Sequence, residues 1–132
     1  MSMLLQETRL CLSQMTIGQD GELSAHFIFP PEFSGFQGHF PGNPVLPGVC
    51  IIQAVLVMLE AWKKAPVSLK SVVSAKWLSP VKPCAELHFT SRASGAEGVE
   101  STVKTQVTCG GEKVAEVNLR VTYSPARKEG SS

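Results

Sequence analysis

The sequence predicts an α+β fold in which an antiparallel sheet of about five to six strands wraps one long central helix. Three observations predict it. From Val49 to Trp62 the chain is apolar nearly all the way round a helical wheel, and such a helix is buried rather than laid on a surface. Before and after it the hydrophobic period changes from 3.6 to 2, the signature of half-buried strands. Tight-turn pairs separate those segments, Asp20-Gly21 early and Gly110-Gly111 late.

Taken in order, Met1 to Gln6 carries no signal, and Thr8 to Met15 alternates weakly enough to predict only a marginal strand. Glu22 to Phe29 places Leu23, Ala25, Phe27 and Phe29 on one face, so it forms a hairpin with the preceding segment across Asp20-Gly21. Pro30-Pro31 ends that strand. A loop rich in glycine and proline follows, with Pro41, Pro44 and Pro47 each fixing φ and removing a backbone donor. Pro47 stands where a helix opens. The apolar helix runs on to Lys64, where Ala65-Pro66 stops it.

After the helix, Ser71 to Leu78 sets Val73, Ala75 and Trp77 on one side. Ala85 to Ser91 turns Ala85, Leu87 and Phe89 inward, and Gly95 to Gly98 is a turn region. Ser101 to Thr108 aligns Val103, Thr105 and Val107. Lys113 to Tyr123 alternates most cleanly, with Ala115, Val117, Leu119, Val121 and Tyr123 on one face. The expected order is two strands, the helix, then four strands in meander.

Composition narrows the function. At 132 residues the chain predicts a single domain over 1–123, with a polar, disordered tail over 124–132. A net charge of +1 with mixed signs offers no basic block for nucleic acid and no acidic tail. Cys11, Cys50, Cys84 and Cys109 lack metal-like spacing and read as free thiols in a reducing cytoplasm. No signal peptide is expected. The longest apolar run, Ala54 to Leu59, is far short of the ~20 residues of a membrane span.

The stretch Phe36-Gln37-Gly38-His39-Phe40-Pro41-Gly42-Asn43-Pro44-Val45-Leu46-Pro47-Gly48-Val49 resembles the signature of the 3-hydroxyacyl-[acyl carrier protein] dehydratases. Pro31-Glu32-Phe33 and Lys76 to Leu87 resemble that family's flanking segments, so the likeness covers about two thirds of the chain. It implies the hot-dog fold, a sheet wrapped round one central helix. It also implies a homodimer or higher oligomer whose acyl tunnel lies between subunits, with the substrate carried on the phosphopantetheine of acyl carrier protein or coenzyme A. No metal or redox cofactor is expected.

The chemistry removes an α proton, stabilises charge on the thioester oxygen and protonates the departing hydroxyl. His39 matches the family's catalytic histidine, and an imidazole with a pKa near ~6.5 suits base work at neutral pH. The plain alternative is a buried histidine bonded to a carbonyl. Gly48, at the positive end of the helix, matches the glycine whose N–H bonds the thioester oxygen. Val45 matches the residue whose carbonyl orients the histidine, and Phe40, Pro47 and Val49 complete the substrate-binding stretch. Fourteen residues beyond His39 the family carries Glu or Asp, facing the histidine of the other subunit; here the position is Gln53. An amide holds a hydroxyl by hydrogen bonds but delivers no proton. A dimer-interface glutamine with a purely structural role is the plain alternative.

Other polar residues carry weaker signals. His26 and His88 fall on polar or mixed strand faces and read as surface. Cys50 lies beside the helix N-terminus, which lowers a thiol pKa, yet it reads as packing. Trp62 and Trp77 are expected in the core, and Glu60 is expected to pair with Lys64 at i, i+4. Two classes of function stay open. One is an enzyme, either a dehydratase giving a trans-2-enoyl thioester or an acyl thioesterase with Glu60 as its acid. The other is an impaired partner subunit in a mixed dimer with a Glu-bearing paralogue.

Overall fold

A computed structural model describes residues 3–18, 20–36, 44–94 and 100–123. The expected turn at Gly95 to Gly98 and the tail over 124–132 lie outside the described residues. Among these residues two α-helices and six strands follow in the order α1 (Met3–Cys11), β1 (Leu12–Ile17), β2 (Leu23–Ile28), α2 (Gly48–Lys63), β3 (Val67–Trp77), β4 (Glu86–Ser94), β5 (Glu100–Cys109) and β6 (Glu112–Tyr123), with a short 3-10 turn at Ser34–Phe36 between β2 and α2. All pairings are antiparallel, in one sheet ordered β1-β2-β4-β5-β6-β3.

Alternation builds the inner face of that sheet. Leu23, Ala25 and Phe27 from β2, Leu87 and Phe89 from β4, Val103 and Val107 from β5, and Ala115, Val117, Leu119 and Val121 from β6 are all buried. The Phe27 and Phe89 rings meet at 4.9 Å between centroids. A buried Ser91 Oγ and Thr105 Oγ1, 2.7 Å apart on that face, satisfy each other. Gly110 and Gly111 turn β5 into β6 at φ 60° and 87°, the left-handed pair that a two-residue hairpin requires.

The structure departs from the sequence expectation at four places. First, α1 occupies the first half of the segment expected as a strand, and β1 starts only at Leu12. Its Leu, Gln, Glu and Arg, none of them branched at Cβ, are good helix formers, and Thr8 and Cys11, three apart on one face, are both buried. Second, β3 does not continue a meander. It crosses to the far edge and pairs with β6 instead of β4.

Third, β3 begins at Val67 and carries irregularities between Leu69 and Ser71 and between Val72 and Ser74, which break the strict period of two. Val73 is 55% exposed and Trp77 49%, so Trp77 is not a core residue; Trp62 is partly buried. Fourth, the sheet does not enclose α2 on every side. Cys50, Ile51, Ala54, Val55, Met58 and Leu59 are buried, but Val49 is 56% exposed, and Ile52, Gln53, Leu56 and Glu60 along the same side are only half-buried.

α2 ends as the sequence indicates, just before Ala65-Pro66. Lys64 turns into the left-handed region at φ 54°, and its N–H closes on the Glu60 carbonyl at 2.7 Å. Among the described residues, no helix is long and apolar enough to cross a membrane.

Candidate active site at the head of the central helix

The open side of α2 begins at its N-terminus. Pro47, in extended conformation at φ −65° and ψ 148°, is the capping residue, and the helix opens at Gly48, one residue later than Pro47 would place it. The Pro47 carbonyl accepts the Cys50 N–H at 3.0 Å. No side chain caps this end, so it keeps the donor-rich, positive character of a helix head. Approach of the chain is fixed by Leu46, buried in the core, whose N–H donates to the Val81 carbonyl at 2.8 Å. Val45 and Pro47 beside it are half-buried, and Val49 faces outward.

Gly48 lies against the indole of Trp77, the last residue of β3. A Cβ at position 48 would stand 2.6 Å from Trp77 Cζ2 and 2.8 Å from Cε2, so any side chain there would displace the indole. The two residues share a cleft of about 190 Å³ with Val45, Ile51, Val81 and Val114. Nothing in the residue pattern hints at this contact, because a terminal strand residue on an alternating pattern reads as core.

Gln53 lies five residues along α2 from Gly48, roughly 7.5 Å along the axis at 1.5 Å per residue. Its Oε1 is buried and has no hydrogen-bond partner among the described residues. An acceptor left in that state costs about 1–3 kcal/mol, so the position favours an incoming donor. His39 and Phe40 lie outside the described residues.

The remaining candidates fall elsewhere. The Cys50 thiol points into the core, 1% exposed. Burial first, and then Cys11 and Glu7, push its pKa up to about 11, the reverse of what a nucleophile needs. His26 and His88 sit opposite each other on the outer face of the sheet, rings stacked at 4.6 Å, with His26 Nδ1 3.5 Å from Glu86. Glu60 does not pair with Lys64. Arg9 donates to its Oε1 at 2.9 Å and the Val67 N–H to its Oε2 at 3.2 Å.

A second cleft of about 550 Å³ follows that pair, lined by Arg9, Leu12, Val57, Ala61, Lys64 and Pro66. Sequence reasoning missed it because it missed α1. Among the described residues no group of three His, Cys, Asp or Glu could hold a metal ion.

Comparison with known proteins agrees with this architecture. Residues 14–117 match the family model described as ApeI-like, ApeI dehydratase. The chain is 34% identical over 90 residues to a 3-hydroxyacyl-[acyl-carrier-protein] dehydratase FabZ of Lactobacillus helveticus, a match covering 58% of this chain and 61% of that one. It is 35% identical over 91 residues to the FabZ of Latilactobacillus sakei, covering 64% and 65%. The chain thus spans a little under two thirds of the length of these relatives. Among solved structures, the dehydratase heterocomplex ApeI:P from Xenorhabdus doucetiae superposes with a TM-score of 0.73 at 18% identity, covering 84% of this chain and 96% of that one. A hypothetical thioesterase with coenzyme A from Streptococcus pneumoniae superposes at 0.65 with 11% identity, covering 95% and 97%. The fold is the hot-dog fold, and with 104 consecutive residues under the family model, from 14 to 117, the chain belongs to the ApeI-like dehydratase family.

Proposed function

We propose that this protein acts on 3-hydroxyacyl thioesters carried on acyl carrier protein or coenzyme A, converting them slowly to trans-2-enoyl thioesters in acyl-chain biosynthesis. The observation that carries the proposal is Gln53 Oε1, without a hydrogen-bond partner among the described residues and buried on the open side of α2 within two turns of an uncapped helix head. An acceptor there suits the hydrogen of a substrate 3-hydroxyl. The Gly48 N–H receives the thioester oxygen as it gains charge. His39, oriented by the Val45 carbonyl, takes the α proton, while Phe40, Pro47 and Val49 border the acyl group.

Electrons from the broken C–H bond form the α,β double bond, and the C–O bond breaks with the oxygen leaving as water. A carboxylic acid at position 53 would protonate that oxygen, but an amide cannot. The proton collected by His39 therefore has to serve it, which is the reason for a slow reaction. No resident cofactor takes part. The unpaired thiols Cys11, Cys50, Cys84 and Cys109 fit a reducing compartment and support a cytoplasmic location.

A second reading is a partner subunit. β3 is a sheet edge carrying exposed Leu69, Val72, Val73 and Trp77, a surface suited to a second hot-dog subunit. The heteromeric ApeI:P neighbour favours a Glu-bearing paralogue as one candidate occupant, beside a second copy of this chain. Glu60 as a thioesterase acid is disfavoured by its engagement with Arg9 and Val67.

Single turnover of defined 3-hydroxyacyl thioesters, with products identified by mass spectrometry, tests the proposal. Enoyl thioester formed by the isolated protein and lost in His39→Ala is the expected result. Free acid would point to hydrolysis, and tight binding without turnover to the partner-subunit role.

A further inference from the structure

We propose that Trp77 sets the upper size of the acyl group admitted at the head of α2. The inference rests on the dehydratase-like reading of that site. In a helix each Cα–Cβ bond tilts toward the N-terminus. The space that a side chain at 48 would fill is therefore the space in front of the helix head, and the Trp77 ring already fills it, with Cζ2, Cε2 and Cη2 all within 3 Å of a Cβ position. On the side where a Cβ would stand, the Gly48 backbone is covered by this ring.

The backbone that carries the ring is anchored. Trp77 pairs with Ala115 in the β3–β6 ladder, and the next two N–H groups, of Leu78 and Ser79, both donate to the Val114 carbonyl at 2.9 and 3.2 Å. The residue is half exposed in the single chain. The cleft it closes, about 190 Å³ between Ile51, Val81 and Val114, is smaller than the ~300–1,000 Å³ of typical ligand pockets. A short chain fits, and a longer one meets the indole.

The test is a panel of 3-hydroxyacyl thioesters from butyryl to dodecanoyl, assayed for turnover, together with binding of the matching non-hydrolysable pantetheine amides. Both are run on the parent, Trp77→Phe and Trp77→Ala. One methylene in an apolar pocket changes specificity by roughly tenfold or more. The parent should prefer the short members. Trp77→Ala should move the optimum to longer chains, raising the long-to-short ratio of kcat/KM by at least about tenfold. Trp77→Phe should fall between them. Should Trp77→Ala fail to fold, a displacement in the same direction by Trp77→Phe still carries the inference. Profiles of parent and variants that coincide, with the parent binding and turning over, overturn the role of Trp77 alone. No binding and no turnover by any of the three overturns the dehydratase-like reading and the role of Trp77 with it.

Discussion

Glu60 and Arg9 join the two helices: Arg9 Nη2 of α1 donates to Glu60 Oε1 at 2.9 Å, while the other carboxylate oxygen accepts the Val67 N–H at the head of β3 at 3.2 Å. One side chain thus ties α1, α2 and the start of the edge strand. The ion pair is partly exposed, with Arg9 at 43% and Glu60 at 19%, so its Coulomb part is screened and worth about 0–1 kcal/mol. The backbone bond is partly buried and costs more to lose. Arg9→Ala should lower the unfolding free energy by less than about 1 kcal/mol. Glu60→Ala should lower it by about 1–3 kcal/mol, with Glu60→Gln between them because the amide oxygen can still accept from Val67. Urea unfolding curves on the three variants check the order, and equal losses for Arg9→Ala and Glu60→Ala would contradict it.

The buried thiols give a pH dependence. Cys11 and Cys50 both have pKa values pushed up from 9.0 to about 11, chiefly by burial. In the unfolded chain each ionises near its ordinary value, so a raised folded pKa contributes stability that is complete below that value and is lost as pH rises from 9 toward 11. At about 1.4 kcal/mol per pH unit, the full loss over those two units is on the order of 3 kcal/mol per thiol. Unfolding free energies at about pH 8.5 and about pH 10.5 should therefore fall less in Cys50→Ala than in the parent. Iodoacetamide at mildly alkaline pH should label exposed Cys84 first and reach Cys11 and Cys50 only on unfolding. Rapid native labelling of Cys50 would show that it is not sequestered.

Much of this architecture is legible before any coordinates. Leu87, Phe89, Val103 and Val107 alternate because one face of each strand is buried, and that period survives in the sequence. The glycine and proline frame around Gly48 marks the helix head for the same reason: few other residues could occupy those backbone positions. What alternation cannot encode is partnership. It gives β3 a face but not its neighbour, so the crossing to β6 was invisible. The irregularities near Ser71 and Ser74 then break the period that would have placed Trp77. Glu60 finds Arg9 across 51 residues rather than Lys64 one turn away, because α1 is too short to announce itself by period. The contact between Gly48 and the Trp77 indole joins two residues with no sequence relation at all.

The exposed edge predicts assembly. Leu69, Val72, Val73 and Trp77 leave an eleven-residue strand apolar on its outer side and unpaired along one edge. Long apolar edges invite pairing with another strand. Sedimentation at micromolar concentration should give a dimer, and Val73→Lys should drive it toward monomer without unfolding, since that side chain is already 55% exposed. A parent that sediments only as monomer contradicts the pairing. A Val73→Lys dimer as tight as the parent moves the interface elsewhere.

Gln53→Glu tests the chemistry most directly. The helix head at Gly48 has no side-chain cap and borders a cleft lined by Val45, Ile51, Val81 and Val114, and the buried Gln53 Oε1 has no hydrogen-bond partner among the described residues. A glutamate there would be partly desolvated by Val49, Ile52 and Leu56. Desolvation disfavours the charged form and raises a carboxyl pKa above its ordinary ~4.3, keeping a fraction protonated at neutral pH. Dehydration should therefore accelerate, approaching the ~10²-fold lower end of general-acid effects, and the gain should fade as pH rises through the raised pKa and the acid form is lost. Burying a carboxyl in place of an amide costs some stability, so the thermal midpoint should drop modestly. His39→Ala should abolish turnover in either background. A Gln53→Glu protein that folds, binds 3-hydroxyacyl thioester and turns it over no faster than the parent would mean that proton delivery at position 53 is not what limits the reaction. The mixed dimer, in which a paralogue supplies the acid, would then be the better account of the site.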